Sequence, residues 1–245
     1  MFDVNDWQLV FLPSVLKLLA GEPFNPDFFN PPWALFPLIP FALVPYKVGR
    51  ILLLLAGLVS YLLLVRKLGA NLLAFAVFVL SVPTFDSIAW GNIEWLALLG
   101  FVMPQPIGLI FLAIKPQVSV GIVIFWFFMA FKASGVMGVL RLSLPTLLVT
   151  ILSIVFFGAW FTHTLTYSPA ATLNLSLFPI SVPVGLGLLV AAIRKGDIRY
   201  AIASSPCFFP VVSPQVWLVV FLALTPNLVE LGVTSLALWV IGLMR

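Results

Sequence analysis

The sequence predicts an all-α fold: a polytopic transmembrane helix bundle with outer-face juxtamembrane helices and short broken helices. Three observations predict it. Of 245 residues, 62% are hydrophobic and 8% charged, with a mean hydropathy of +1.20. Soluble domains hold about 45–50% apolar and about 25% charged residues. Apolar runs close to the roughly twenty residues that cross a bilayer recur along the chain. The basic residues gather between those runs, at Arg66-Lys67, at Lys132 with Arg141, and at Arg194-Lys195 with Arg199. Such clusters mark cytoplasmic loops, so the net charge of +4 points to a bilayer partner and not to nucleic acid.

Residues 1–45 read as an extracytoplasmic loop with interfacial helices, and residues 46–245 as a multi-span transmembrane domain. Residues 4–12 form a short apolar helix with Asp3 as its cap. Pro13 interrupts it, residues 14–20 continue it, and Gly21 ends it. The stretch from Phe24 to Pro40 carries five prolines. Pro31 and Pro32 start its helix, where proline sacrifices no hydrogen bond, and Trp33 suits the headgroup level. That helix, about 20 Å long at 1.5 Å per residue, is too short for a hydrocarbon core of about 30 Å. It therefore lies along the outer interface, where water satisfies the carbonyls that proline frees.

Residues 46–65 cross inward to Arg66-Lys67, and 70–84 return. Three short pieces follow, 93–102, 106–115 and 117–131, divided at Met103–Pro106 and at Lys115-Pro116-Gln117. Helices divided in this way end inside protein, with their free backbone buried or lining a wet cavity. Residues 142–161 run outward to a polar loop, 162–169, and 180–193 return. Residues 200–212, 215–225 and 228–244 complete the bundle.

A charge at the bilayer centre costs about 2.5–3.5 kcal/mol or more, so the eight carboxylates are informative. On this topology Asp3, Asp6, Glu22, Asp27, Asp86 and Glu94 fall at or near the outer face, and Asp197 lies in a cytoplasmic loop. Asp6 is either an acid favoured by a helix start or a general base at the membrane surface. Lys115 either snorkels to the interface or offers a point charge to a phosphate at a helix break, with Gln117 as a further donor. Asn92 either caps a helix or binds ligand. Glu94, between Trp90 and Trp95, lies close to lipid depth. His163 sits in the polar loop within reach of a phosphate. Ser205-Pro206 and Ser213-Pro214 read as helix breaks whose serines satisfy freed backbone groups. One cysteine and one histidine exclude an internal disulfide and a Cys or His metal cluster. The sequence has no phosphate-binding glycine loop, dinucleotide fingerprint or serine-nucleophile motif.

Taken in order, Asp6-Trp7, Leu19-Ala-Gly-Glu-Pro23, Asn30-Pro-Pro-Trp33 with Leu43-Val-Pro45, Gly91-Asn-Ile-Glu94 and Ala113-Ile-Lys-Pro-Gln117 resemble the GT-C class of integral-membrane glycosyltransferases. The closest pattern is glycosyltransferase family 87, whose mannosyl- and arabinosyltransferase-like members use polyprenyl-phosphate sugars. Ser205-Pro206 is similar to a late element of that family. The motifs are short, and their order carries the likeness. The resemblance implies a multi-pass protein of the plasma (inner) membrane that moves a sugar from a polyprenyl-phosphate donor to a glycan or lipid hydroxyl on the outer face. It needs no cofactor beyond the donor, and a divalent metal is left open. By motif position the catalytic aspartate is Asp6; the family's basic residue that stabilises the lipid-phosphate leaving group would be Lys115. Gln117 and His163 would assist it, and Asn92 and Glu94 would line the sugar pocket. The family places a transmembrane helix before its Asp-Trp motif, whereas this sequence starts at that motif, which suits a second membrane chain as partner. The family also carries an amide where Glu94 stands. The rival reading is a transporter or flippase for a lipid-linked or anionic solute, against which the absence of internal repeats weighs. A third is an inactive or truncated transferase remnant.

Overall fold

The computed structural model describes residues 5–22, 25, 28–162 and 174–243. Among them every regular element is helical. Two helices, Tyr46–Lys67 and Pro116–Phe157, are long and apolar enough to cross a membrane, and a bent pair, Leu72–Leu80 with Val82–Trp90, makes a third if it counts as one span.

Helix α1 (Trp7–Leu19) is a single element, so Pro13 does not divide it. Its first turn is widened: the N–H of Leu12 bonds the carbonyl of Trp7, five residues back. A π-turn makes room for the proline ring, which in a regular ladder meets the carbonyl four residues earlier. Asp3 lies outside the described residues, and the capping bond comes from Asn5, whose Oδ1 accepts from the N–H of Gln8 at 3.0 Å. Gly21 closes the helix at φ +68°. Helix α2 (Pro32–Ala42) begins at the second proline of the pair, and most of it is a 3₁₀ helix with Pro37 inside. One face of it is embedded in protein. Ala34, Leu35 and Leu38 are buried, and the indole N–H of Trp33 donates to the carbonyl of Ile110 at 3.0 Å. The described part of the first 45 residues thus shares one apolar core with the helices that follow, through Trp7, Phe11, Val15, Phe28, Leu35 and Leu38.

Helix α3 (Tyr46–Lys67) extends about 33 Å at 1.5 Å per residue. The Trp95 ring lies on its Gly57, where an added Cβ would stand 3.2 Å from the indole. At its far end Lys67 donates to the carbonyl of Phe101 at 2.6 Å. The expected return over 70–84 is two helices, α4 (Leu72–Leu80) and α5 (Val82–Trp90), bent by 70°. Pro83 removes a ladder donor there, and the hydroxyl of Ser81 bonds the carbonyl of Phe78 at 2.7 Å. Helices α6 (Glu94–Leu99) and α7 (Gln105–Leu112) are short, as the proline spacing predicts.

Helix α8 (Pro116–Phe157) breaks at Ser134 and Gly135, the latter at φ +60°. A Cβ added to Gly138 would lie 2.3 Å from the carbonyl oxygen of Ala130, whereas eight residues of straight helix span about 12 Å. The chain therefore folds back between Lys132 and Arg141, where the sequence predicts a turn. Helices α9 (Val182–Lys195), α10 (Ile198–Ser204), α11 (Pro214–Leu224) and α12 (Leu228–Leu243) follow. The helix expected over 200–212 is cut short before Pro206. Of the two serines expected to serve the backbone, Ser205 does so, its Oγ accepting from the N–H of Gly121 at 3.1 Å; Ser181, not singled out beforehand, donates from Oγ to the carbonyl of Cys207 at 3.0 Å.

Candidate functional site

The site grows from Trp7 and Gly91. Gly91 ends α5 in the left-handed region at φ +65°, and the N–H of Asn92 reaches back to the carbonyl of Ser87 at 3.0 Å. Glycine takes this backbone conformation without a Cβ penalty, which is why it closes helices in this way. The missing Cβ matters twice, because one added here would stand 3.1 Å from the Cβ of Trp7. Trp7 is fully buried and meets Phe41 edge-to-face at 6.5 Å, and Phe41 meets Trp95 in the same way at 6.4 Å. This aromatic ladder ties α1, α2 and α6 together. It sets Asp6, the residue before Trp7, against Asn92, the residue after Gly91.

Lys115 arrives from the other side. It precedes Pro116, and a residue in that position is driven out of the helical region; its backbone is extended at φ −139°, ψ 84°. The side chain leaves the α7–α8 junction with 14% of its surface exposed and pairs with the fully buried Glu94. Glu94 opens α6, where a negative charge suits the helix dipole.

One chain of polar contacts results. Asn92 Nδ2 donates to Asp6 Oδ2 at 2.8 Å, and Lys115 Nζ donates to Asn92 Oδ1 at 3.2 Å. Lys115 also bonds Glu94 Oε1. Ser87 Oγ lies 2.6 Å from Glu94 Oε2, and Tyr61 OH lies 3.2 Å from Ser87 Oγ. Both oxygens of Glu94 therefore have partners, and one oxygen of Asp6 is engaged by an amide. Burial raises the Asp6 pKa to about 6; Lys115 opposes the rise, and the charges of Glu94 and Asp86 add to it. A recess of about 280 Å³ opens beside Asn92, bordered by Arg50, Leu53, Gly57, Gly91 and Trp95.

Four of the residues singled out from sequence thus meet: Asp6, Asn92, Glu94 and Lys115. Gln117 is half-buried near the start of α8 and makes no hydrogen bond to the cluster. His163 lies outside the described residues. Sequence reasoning missed Ser87, Tyr61 and Arg50, and it missed that Gln215 Nε2 donates to Asp86 Oδ2 at 2.6 Å. For Ser87 a weak signal exists, since a hydroxyl one turn before a helix-ending glycine faces whatever follows that glycine. Tyr61 and Gln215 have none, because their partners come from other helices. Comparison with protein-family models, with curated proteins and with solved structures finds no match in any of the three.

Proposed function

We propose that the chain is a multi-pass glycosyltransferase of the plasma membrane. It moves a sugar from a polyprenyl-phosphate donor to a hydroxyl acceptor at the extracytoplasmic face. One observation carries this: Asn92 joins an aspartate 86 residues away to a lysine 23 residues away. A single side-chain amide so holds an acid and a cation, the two groups that displacement of a phosphate by a hydroxyl requires. The order of sequence motifs supports the same assignment.

The acceptor hydroxyl attacks the anomeric carbon of the sugar. Its proton passes to Asp6, whose pKa near 6 leaves it mostly ionised at neutral pH while more basic than an ordinary carboxylate, as a general base should be. The bond between the sugar carbon and the phosphate oxygen breaks, and polyprenyl phosphate leaves with the electron pair. Lys115 has three donors; Glu94 and Asn92 take two, and the third meets the charge growing on the phosphate. Preorganised donors of this kind act without reorganising during the reaction. Glu94 holds Lys115 in place, and Asn92 both positions Asp6 and borders the recess that takes the sugar. Arg50 supplies a second cation at that recess.

The experiment is transfer of radiolabelled sugar from a polyprenyl-phosphate donor by the chain reconstituted in vesicles. Asp6→Asn should lower the rate by about 10²–10⁴-fold, the usual contribution of a general base, with membrane insertion intact. Retained activity removes Asp6 from the role. Wild-type vesicles that release no polyprenyl phosphate but carry the lipid-linked sugar across the bilayer would establish the transporter reading in its place.

A further inference from the structure

A second recess, of about 390 Å³, runs between α2, α7 and the returning half of α8. Its walls are apolar, with Trp33, Phe36, Phe111, Ile114 and Phe156 among them, and Ser153 is the one hydroxyl on its lining. Ser153 is 5% exposed. Among the described residues its hydroxyl has no hydrogen-bond partner, not even the helix carbonyl that Thr150 and Ser143 bond in the same helix. Trp160 meets Trp33 edge-to-face at 5.7 Å, and its buried indole N–H is likewise unpartnered. A buried polar group left unbonded keeps its desolvation penalty. Such a group on the lining of an apolar groove calls for a ligand with an apolar body and an oxygen near its end.

Depth narrows the choice. Ser153 lies four residues, about 6 Å, from the end of α8 at Phe157, and the half of α8 after its break at Gly135, residues 136–157, is close to the roughly twenty residues of one bilayer crossing. The outer side of this half, with Leu148, Ile151 and Val155 exposed, suits contact with lipid. An oxygen at that level of a bilayer is the ester carbonyl of a glycerolipid, just below its headgroup. An isoprenoid chain is hydrocarbon throughout below its phosphate and offers Ser153 nothing to bond. We infer that this groove binds one acyl chain of a bilayer glycerolipid, with the ester carbonyl accepting a hydrogen bond from Ser153 Oγ. Ile114 borders the groove and Lys115 belongs to the polar cluster, so the lipid sits beside the site.

The test is photolabelling of the full chain in phosphatidylcholine vesicles holding a trace of the same lipid with a diazirine on one acyl chain. Labelled residues are mapped by mass spectrometry. Groove residues such as Phe111 and Trp33 should be labelled several-fold above Leu148. An ether-linked analogue without the carbonyl should label the groove several-fold less. Ser153→Phe, which fills the groove, should abolish groove labelling, Ser153→Ala should weaken it with the shape retained, and Leu148→Phe on the lipid-facing side should leave it unchanged. Uniform labelling of groove and lipid-facing residues, equal labelling by ester and ether lipids, or preferential labelling by an isoprenoid-phosphate probe would overturn the proposal. None of these readouts depends on sugar transfer.

Discussion

Two ion pairs in this molecule are made in opposite ways. Lys115 and Glu94 are 21 residues apart, and they leave 14% and 0% of their side chains exposed. Arg199 and Asp197 are two residues apart, and they leave 34% and 23% exposed. The second pair is local. Asp197 Oδ1 caps α10 by accepting from the N–H of Arg199 at 3.0 Å, and the guanidinium of Arg199 folds onto the same carboxylate. The first exists only because α6 and the α7–α8 junction meet, and it carries a desolvation cost that its attraction does not reliably recover. The contrast therefore separates a pair made by tertiary contact between helices from one made within a helix start.

Breaking one partner of each pair gives the largest contrast. Lys115→Met leaves a carboxylate buried without its cation and should cost about 3–5 kcal/mol, against at most about 1 kcal/mol for Arg199→Met. Unfolding in detergent micelles followed by circular dichroism measures both. The double variant Lys115→Met/Glu94→Leu should recover most of the loss, since two well-packed apolar residues can replace a buried pair. Equal losses from the two single variants would erase the distinction.

A smaller effect tests how the regions are joined. A Cβ on Gly121 of α8 would stand 1.9 Å from the carbonyl oxygen of Ala201 on α10, whereas one on Gly187 of α9 meets nothing within 4 Å. Gly121→Ala should destabilise by about 1–3 kcal/mol through overpacking. Gly187→Ala, in open space, should lie within about 0.5 kcal/mol of neutral or be mildly stabilising. The same melts read both.

The two aspartates should also respond oppositely to pH. Asp6 has a folded pKa near 6, above its ordinary 3.8, so the folded chain binds the extra proton between those values. Its contribution to stability is complete below about 3.8 and is lost as pH rises through about 6. Asp6→Asn should remove that fall and raise the melting temperature at neutral pH. Asp197 is held below its ordinary value, chiefly by the hydrogen bond from Arg199. Its contribution is present above the ordinary carboxylate range and is lost as pH falls through the depressed value. Asp197→Ala should have a small effect, about 1 kcal/mol or less, mostly the lost cap. Melting temperatures across pH 3–8, with the wild type as reference, resolve both slopes; slopes of one sign for the two residues would contradict the assignment.

Much of this was legible beforehand. Proline spacing marked α6 and α7 as short, and the pair Lys132 and Arg141 marked the fold-back in α8, because each is a local property of backbone or charge. Pro13 misled, since a π-turn absorbs a proline that a regular ladder cannot. Pro83 went unread, so one expected span is two bent helices. The bond from the Trp33 indole to Ile110 of α7 went unread as well, because no local pattern indicates that partner.

The sequence by itself determined the medium and the cast. Its scarcity of charge required helices that satisfy their own backbone, and so few polar residues made Asp6, Asn92, Glu94 and Lys115 conspicuous. Tertiary structure alone decided that these four meet, that Glu94 is a partner of Lys115, and that Ser87 and Tyr61 complete the chain of bonds. The physical reason is range. Hydropathy and capping act within a few residues, whereas burial and hydrogen bonding between helices depend on which faces the whole chain brings together.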